Sequence, residues 1–215
     1  MTQPLKLAVL ISGNGSNLQS IIDSIDSGQL NAEIKAVVSN DRQAYGLLRA
    51  TRNGLHTWVL DHQEYQDRNQ FDDVLQHYLE AVDPDYIVLA GFMRILGPGI
   101  IQAFENKILN IHPSLLPAYR GLNTHQRVLD NREKEHGVSI HLVTAKLDDG
   151  PIILQASYPV EAGDKAADLQ RRGHRLEHKM YPLVLQWLSD RRLVIEGGKL
   201  YYENSPLENP LPYPP

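Results

Sequence analysis

Five short runs, apolar almost throughout, constrain this chain more than any other feature. They are "LKLAVLIS" (5–12), "EIKAVVS" (33–39), "HTWVL" (56–60), "DYIVLAG" (85–91) and "KILNI" (107–111). A strand with one wet face alternates apolar and polar residues; a strand buried on both faces does not. The stretches between the first runs have the other period. Leu18, Ile21, Ile22 and Ile25 share one helix face. So do Phe71, Val74, Leu75, Tyr78, Leu79 and Val82. "QAYGLLRATRNG" (43–54) reads as a helix closed by Gly54. Strands alternating with helices in this way predict an α/β fold, with a mostly parallel sheet and helices on both faces. Ligands of such sheets sit at the carboxyl ends of the strands, near the point where strand order reverses.

Beyond Gly121 the pattern changes. "HQRVLDN" suits a short helix, and "GVSIHLV" and "PIILQASYPV" suit strands joined by the turn-forming "TAKLDDG". A long helix is expected over 166–188, capped by Asp164. "LVIEGGKLYY" reads as a hairpin turning at Gly197–Gly198. Neither a repeat nor a linker interrupts the 215 residues, so one domain is expected over 1–203, with 204–215 as an unstructured proline-rich tail. The chain has no Cys, which excludes a thiolate nucleophile and Cys-ligated metals and suits a reducing cytoplasm. A formal net charge of −5 argues against a nucleic-acid grip. No run approaches the length of a membrane span.

Three stretches carry candidate chemistry. In "ISGNGSNLQ" (11–19) a strand gives way to a Gly-Asn-Gly turn and then a helix. Backbone N–H groups and the positive helix end make such a turn an anion pocket, though it also reads as a plain tight turn with Asn14 in a left-handed conformation. Leu18 stands where a dinucleotide fingerprint needs its third glycine, which favours a single phosphate over NAD.

The second stretch is "NIHPSLLP" (110–117). Residues two apart on a strand share a face, so Asn110 and His112 project together, and Pro113 and Pro117 restrict the exit. A carboxylate from the turn at Asp148–Asp149 would favour imidazolium at His112, and amide plus imidazolium can stabilise an oxyanion. Spacing alone does not bring Asp148 to His112; a satisfied structural histidine is the competing reading. The third stretch, "HRLEH" (174–178), matches the His-x-x-Glu-His of inverted zinc peptidases. It reads far more readily as two exposed helix histidines, since a five-residue match is common by chance and no third ligand is apparent.

Taken in order, "AVLISGNGSNLQ", "VLAGFMRIL", "NIHPSLLP", "THQ" with "EHGVSIH", "LDDGPIILQ" and "LEHKMYPLVLQW" resemble the folate-dependent formyltransferase family, and within it the branch whose acceptor is glycinamide ribonucleotide. The resemblance implies a Rossmann-like sheet, 10-formyltetrahydrofolate as co-substrate, no metal, small-molecule substrates, and a cytoplasmic monomer or homodimer. It implies Asn110, His112 and Asp148 as the catalytic set. Gly15, Ser16 and Asn17 would hold the ribonucleotide phosphate, and Glu177 its ribose hydroxyls, which gives "HRLEH" a role without metal. Met93, Arg94, Ile95, Leu96 and Asn110 would line the folate site, with Arg68 near the folate's anionic end. The chain departs from the family pattern at Arg120 and Asn123, where proline and histidine are expected, and at Asp149, where glycine is expected. A methionyl-tRNA formyltransferase would need an added module and a basic surface. A formyltetrahydrofolate hydrolase would need a regulatory domain. A silent phosphosugar-binding module would not need the catalytic set.

Overall fold

The computed structural model describes residues 3–213. Strand β1 (Leu5–Ile11) leads through helix α1 (Ser16–Asp26) to β2 (Ala32–Ser39), then through α2 (Tyr45–Arg52) to β3 (Thr57–Val59). A 3-10 turn (His62–Glu64) and α3 (Arg68–Val82) precede β4 (Tyr86–Leu89). Helix α4 (Pro98–Ala103), β5 (Ile108–His112), α5 (Thr124–Asp130), β6 (Glu135–Leu142), β7 (Ile152–Pro159) and α6 (Ala166–Ser189) follow. Strands β8 (Leu193–Glu196), β9 (Lys199–Tyr202), β10 (Ser205–Pro206) and β11 (Leu211–Pro212) complete the chain.

The main sheet runs β11-β7-β6-β5-β4-β1-β2-β3, and β8, β9 and β10 form a small second sheet. Strands β3, β2, β1, β4 and β5 are parallel; β6 runs antiparallel to both β5 and β7, and β11 pairs parallel to β7. Order therefore reverses between β1 and β4.

The apolar-throughout runs are explained by two cores. Leu7, Val9 and Ile11 of β1 face Leu18, Ile21 and Ile22 of α1 and Met180, Tyr181 and Val184 of α6. Ala8 and Leu10, pointing the other way, meet Phe71, Leu75 and Leu79 of α3 and Ile100 of α4. The five β1 side chains from Leu7 to Ile11 are fully buried. Across the sheet, the Tyr181 hydroxyl donates to the carbonyls of Leu89 (3.1 Å) and Leu109 (3.0 Å), tying α6 to β4 and β5.

Two expectations are corrected and one element is added. The segment after residue 203 is not an unstructured tail as far as Tyr213: Ser205–Pro206 pairs with β9, Leu211–Pro212 pairs with β7, and the Tyr213 N–H donates to the Gln155 carbonyl at 2.7 Å. Partly buried Leu207, Leu211 and Tyr213 pack on the main core, which gives a proline-rich segment reason to order. Residues 214–215 lie outside the described residues. Helix α6 is capped by Lys165 rather than Asp164. Asp168, in the first turn, takes the Lys165 N–H at 3.0 Å, while Asp164 takes the Glu161 N–H and the Arg172 guanidinium. Helix α4 was not anticipated; six residues opened by proline carry too little periodicity to show.

Candidate active site

Three connections meet at the carboxyl end of the sheet beside the reversal: those after β1, β4 and β5. After β1 the chain turns through Ser12–Gly15 into α1. Gly15 carries the left-handed backbone (φ +72°), so the left-handed residue of the turn is the glycine and not Asn14. The turn is tight because α2 presses on it. A Cβ at Gly15 would stand 2.5 Å from the Gly46 Cα, and the Gly46 N–H donates to the Gly13 carbonyl at 3.0 Å. Arg49 of α2 binds the Asn14 carbonyl (2.9 Å) and the Asn14 Oδ1 (3.1 Å). No side chain caps the first N–H groups of α1, which leaves them open to an anion.

Asn17, in the first turn of α1, is buried and donates through Nδ2 to Glu177 Oε2 at 2.7 Å. Burial pushes the Glu177 carboxyl above its ordinary range, against the Asn17 hydrogen bond and the nearby His174 and His112, which favour its charge. The Asn17 Oδ1 is buried with no partner. A buried acceptor left open beside a buried carboxyl is an invitation to a ligand that brings donors.

Ser12 joins this turn to the connection after β4. Its hydroxyl donates to the Asn40 Oδ1 and accepts the Met93 N–H at 2.7 Å. Met93, at the head of residues 93–96, thus lies against the glycine turn. Met93 and Ile95 are 69% and 56% exposed, unusual for large apolar side chains and suited to a flat organic ligand; Leu96 is buried. Arg68 reaches this segment by donating to the Ile95 carbonyl at 2.5 Å, with Asp72 3.5 Å from its Nε. Arg94 lies over the Phe71 ring at 4.4 Å. The structure therefore brings Arg68 and residues 93–96 together.

At the end of β5, Asn110 and His112 pair in register with His141 and Ser139 of β6. His112 Nδ1 lies 3.5 Å from Asp148 Oδ2, and both side chains are more than nine-tenths buried. The reach that spacing left open is thus made. Asp148 Oδ2 also accepts the Gly121 N–H at 2.9 Å, and Oδ1 sits 3.7 Å from His141 Nε2. The other nitrogen of His112, Nε2, donates to the Tyr119 carbonyl at 3.0 Å. Asn110 spends one amide hydrogen on His141 Nε2 at 3.1 Å, whose Nδ1 donates to the Leu142 carbonyl at 2.7 Å. The second Asn110 amide hydrogen remains for a ligand. Burial lowers the His141 pKa, outweighing Asp148, so a neutral ring accepts from Asn110. His141 is a site residue that the sequence reading passed over; its signal was a histidine in an otherwise apolar strand.

The left-handed position in the "LDDG" turn falls on Asp148 (φ +48°), not on Asp149, so replacing the expected glycine by Asp149 costs no backbone strain. Asn123, the other departure, takes a left-handed conformation (φ +56°) that Asn tolerates, at the N-terminus of α5. Behind the site His125 and His136 share a hydrogen bond of 2.8 Å, and burial pushes both pKa values down to about 4. The rings of His174 and His178 stack with centroids 6.0 Å apart, and Glu177 between them in sequence is committed to Asn17. Among the described residues no group of three His, Asp or Glu side chains is placed to hold a metal ion, and no helix is long and apolar enough to cross a membrane.

The chain is 48% identical over 203 residues to phosphoribosylglycinamide formyltransferase of Escherichia coli, covering 94% of this chain and 96% of that protein. It is 42% identical over 196 residues to the human trifunctional purine biosynthetic protein adenosine-3, of which it spans 19%. Among solved structures, phosphoribosylglycinamide formyltransferase of Coxiella burnetii superposes with a TM-score of 0.92 at 46% identity, covering 98% of this chain and all of that one. The formyl transferase model matches residues 5–185, and the chain belongs to the formyl transferase family.

Proposed function

We propose that this enzyme acts in purine biosynthesis, transferring a formyl group from 10-formyltetrahydrofolate to the amine of 5-phosphoribosylglycinamide. The observation that carries the reading is the buried His112–Asp148 pair, with Asn110 beside it, at the same end of the sheet as the open turn at Gly15–Asn17 and the segment 93–96. The α1 N-terminus suits the ribonucleotide phosphate. Glu177 and the unpartnered Asn17 Oδ1 suit the ribose hydroxyls, which bring donors to buried acceptors. Met93, Arg94, Ile95 and Leu96 suit the pterin end of the folate, and Arg68 its anionic end.

The unprotonated glycinamide amine attacks the formyl carbon, and the carbonyl electron pair becomes an oxyanion. The free Asn110 amide hydrogen and the His112 N–H receive it. For this His112 Nε2 exchanges the Tyr119 carbonyl for the oxyanion, so the segment bearing Tyr119 shifts as substrates bind. Asp148 balances the imidazolium charge. Collapse expels the folate nitrogen, which takes up the proton that the attacking amine loses. Each positioned donor supplies roughly 3 kcal/mol of barrier reduction in comparable oxyanion sites, and holding two substrates together supplies much of the rest. No covalent enzyme intermediate is needed. The setting is the cytoplasm, with small-molecule substrates and a monomer or homodimer.

The test is tetrahydrofolate release from 10-formyltetrahydrofolate, followed spectrophotometrically with and without glycinamide ribonucleotide. Release that depends on the ribonucleotide supports the reading. Equal release in buffer alone would make the enzyme a hydrolase, and formylation of initiator tRNA would make it the other transferase.

A further inference from the structure

We propose that Arg120 and Asp149 are positioning residues that clamp the two loops flanking His112, and so hold the Asp148 carboxylate against the imidazole; this rests on the catalytic assignment of His112 and Asp148 above. The loop after β5 and the loop between β6 and β7 cross beside the site. Two adjacent rungs join them: the Gly121 N–H to Asp148, and the Arg120 guanidinium to Asp149. Residue 120 pairs with 149 and residue 121 with 148, so the second rung fixes the spacing of the first. Arg120 and Asp149 are also two of the three positions at which the chain departs from the family pattern, and the fold brings these two into contact.

Little else holds the tip of the second loop. Leu147 is 49% exposed, so packing contributes little there. The Asp149 N–H to the Lys146 carbonyl (3.4 Å) and the Lys146–Asp149 ion pair (3.8 Å) stay within the loop. Among the described residues, the bonds and ion pairs that tie residues 144–149 to the rest of the chain run through Asp148 and Asp149. On the other side Arg120 is fixed from behind, its carbonyl accepting from Arg127 at 2.6 Å, while Arg127 lies over the Tyr119 ring at 5.3 Å. Asp148 occupies a left-handed backbone, which aspartate tolerates though less freely than glycine, and the clamp holds the turn at that residue. Its partners are 41% and 27% exposed in their side chains, so salt reaches the clamp while the buried His112–Asp148 pair is sheltered.

The experiment compares kcat and both KM values for wild type, Arg120→Lys, Arg120→Gln, Asp149→Asn, the Arg120→Gln/Asp149→Asn double variant and Asp148→Asn. Each kcat is read at saturating substrates, and each KM from a substrate series, between about 0.01 and 1 M salt, over which the screening length falls from about 30 to about 3 Å. Arg120→Gln and Asp149→Asn each lose kcat by about three- to fivefold at low salt, the upper end for an exposed pair. The double variant is no worse than the weaker single, Arg120→Lys keeps most of wild-type kcat, and the ribonucleotide KM is unmoved. Wild-type kcat falls with salt toward the variants' value, whereas the variants do not respond. Additive losses, unchanged kcat in the singles, or the same salt response in the double variant would overturn the clamp. Asp148→Asn separates the two levels: if it is inactive while the Arg120 and Asp149 variants match wild type, the clamp alone fails. If it keeps full kcat, the catalytic assignment fails with it. Should a variant not fold, the wild-type salt series and Arg120→Lys still decide.

Discussion

Replacing Gly15 by alanine separates two costs that the structure makes distinct. Gly15 is left-handed (φ +72°), and a Cβ there would stand 2.5 Å from the Gly46 Cα, a backbone atom that cannot rotate away. Gly28, after α1, is left-handed too (φ +75°) but has nothing within 4 Å of its absent Cβ. Gly28→Ala therefore reports backbone strain alone, about 1.5 kcal/mol. Gly15→Ala adds the collision, about 2 kcal/mol more for a small overpacking. At about 3 °C per kcal/mol for a chain of this size, Tm falls by about 4–5 °C in Gly28→Ala and about 10 °C in Gly15→Ala. The second consequence is functional. Reaching ordinary carbon–carbon separation requires the turn and α2 to part by about 1 Å. That moves the N–H groups offered to the phosphate, so the ribonucleotide KM rises at least about tenfold in Gly15→Ala, within the cost of misplacing a group by that distance. It is unchanged in Gly28→Ala. Calorimetry and steady-state kinetics on both proteins suffice. Equal Tm losses with a wild-type KM in Gly15→Ala would refute both the close approach of α2 and the phosphate assignment of the turn.

Asn17→Ala removes the donor that opposes the raised pKa of Glu177, so that pKa climbs further; if the ribose needs the carboxylate, the acid limb of kcat/KM for the ribonucleotide moves to higher pH, and a limb that stays or moves down contradicts the pairing. His125 and His136 are held near 4 when folded but titrate near 6.5 when unfolded, so stability present above about pH 6.5 is lost as pH falls toward about 4. A Tm flat over that interval would count against their burial as neutral rings. Exhaustive chelation leaves activity intact and elemental analysis finds no stoichiometric zinc; loss of activity on chelation would restore the metal reading of His174 and His178.

What could be read in the sequence was whatever depends on neighbours. The strands announced themselves because both faces of β1 are buried, Leu7, Val9 and Ile11 against one core and Ala8 and Leu10 against the other. Asn110 and His112 could be placed side by side because the pleat repeats every two residues. The motif match pointed to Asp148, but its contact with His112 depends on two loops crossing, and nothing within either loop encodes that. The same holds for Gly46 against Gly15, and for Arg49 on Asn14, 35 residues away in the chain. His141 was missed for a different reason: a buried histidine in a strand resembles a core residue until its partners Asn110 and Asp148 are seen. The final segment was misjudged because proline content was read as disorder, when prolines are compatible with an edge strand.

That edge strand has a consequence for how the molecule meets its own copies. Along an extended chain successive N–H groups point to opposite sides, and the Tyr213 N–H points at β7. The nitrogens at 210 and 212 therefore face outward, and both belong to proline, which has no hydrogen there. The outermost rim of the eight-stranded sheet ends on a line without outward N–H donors at these two positions. An open strand edge is a template for a second chain to add to, and such growth is the usual beginning of aggregation between sheets. Here Pro210 and Pro212 blunt that template: β11 satisfies β7 on its inner side and offers the next molecule a poor ladder to climb.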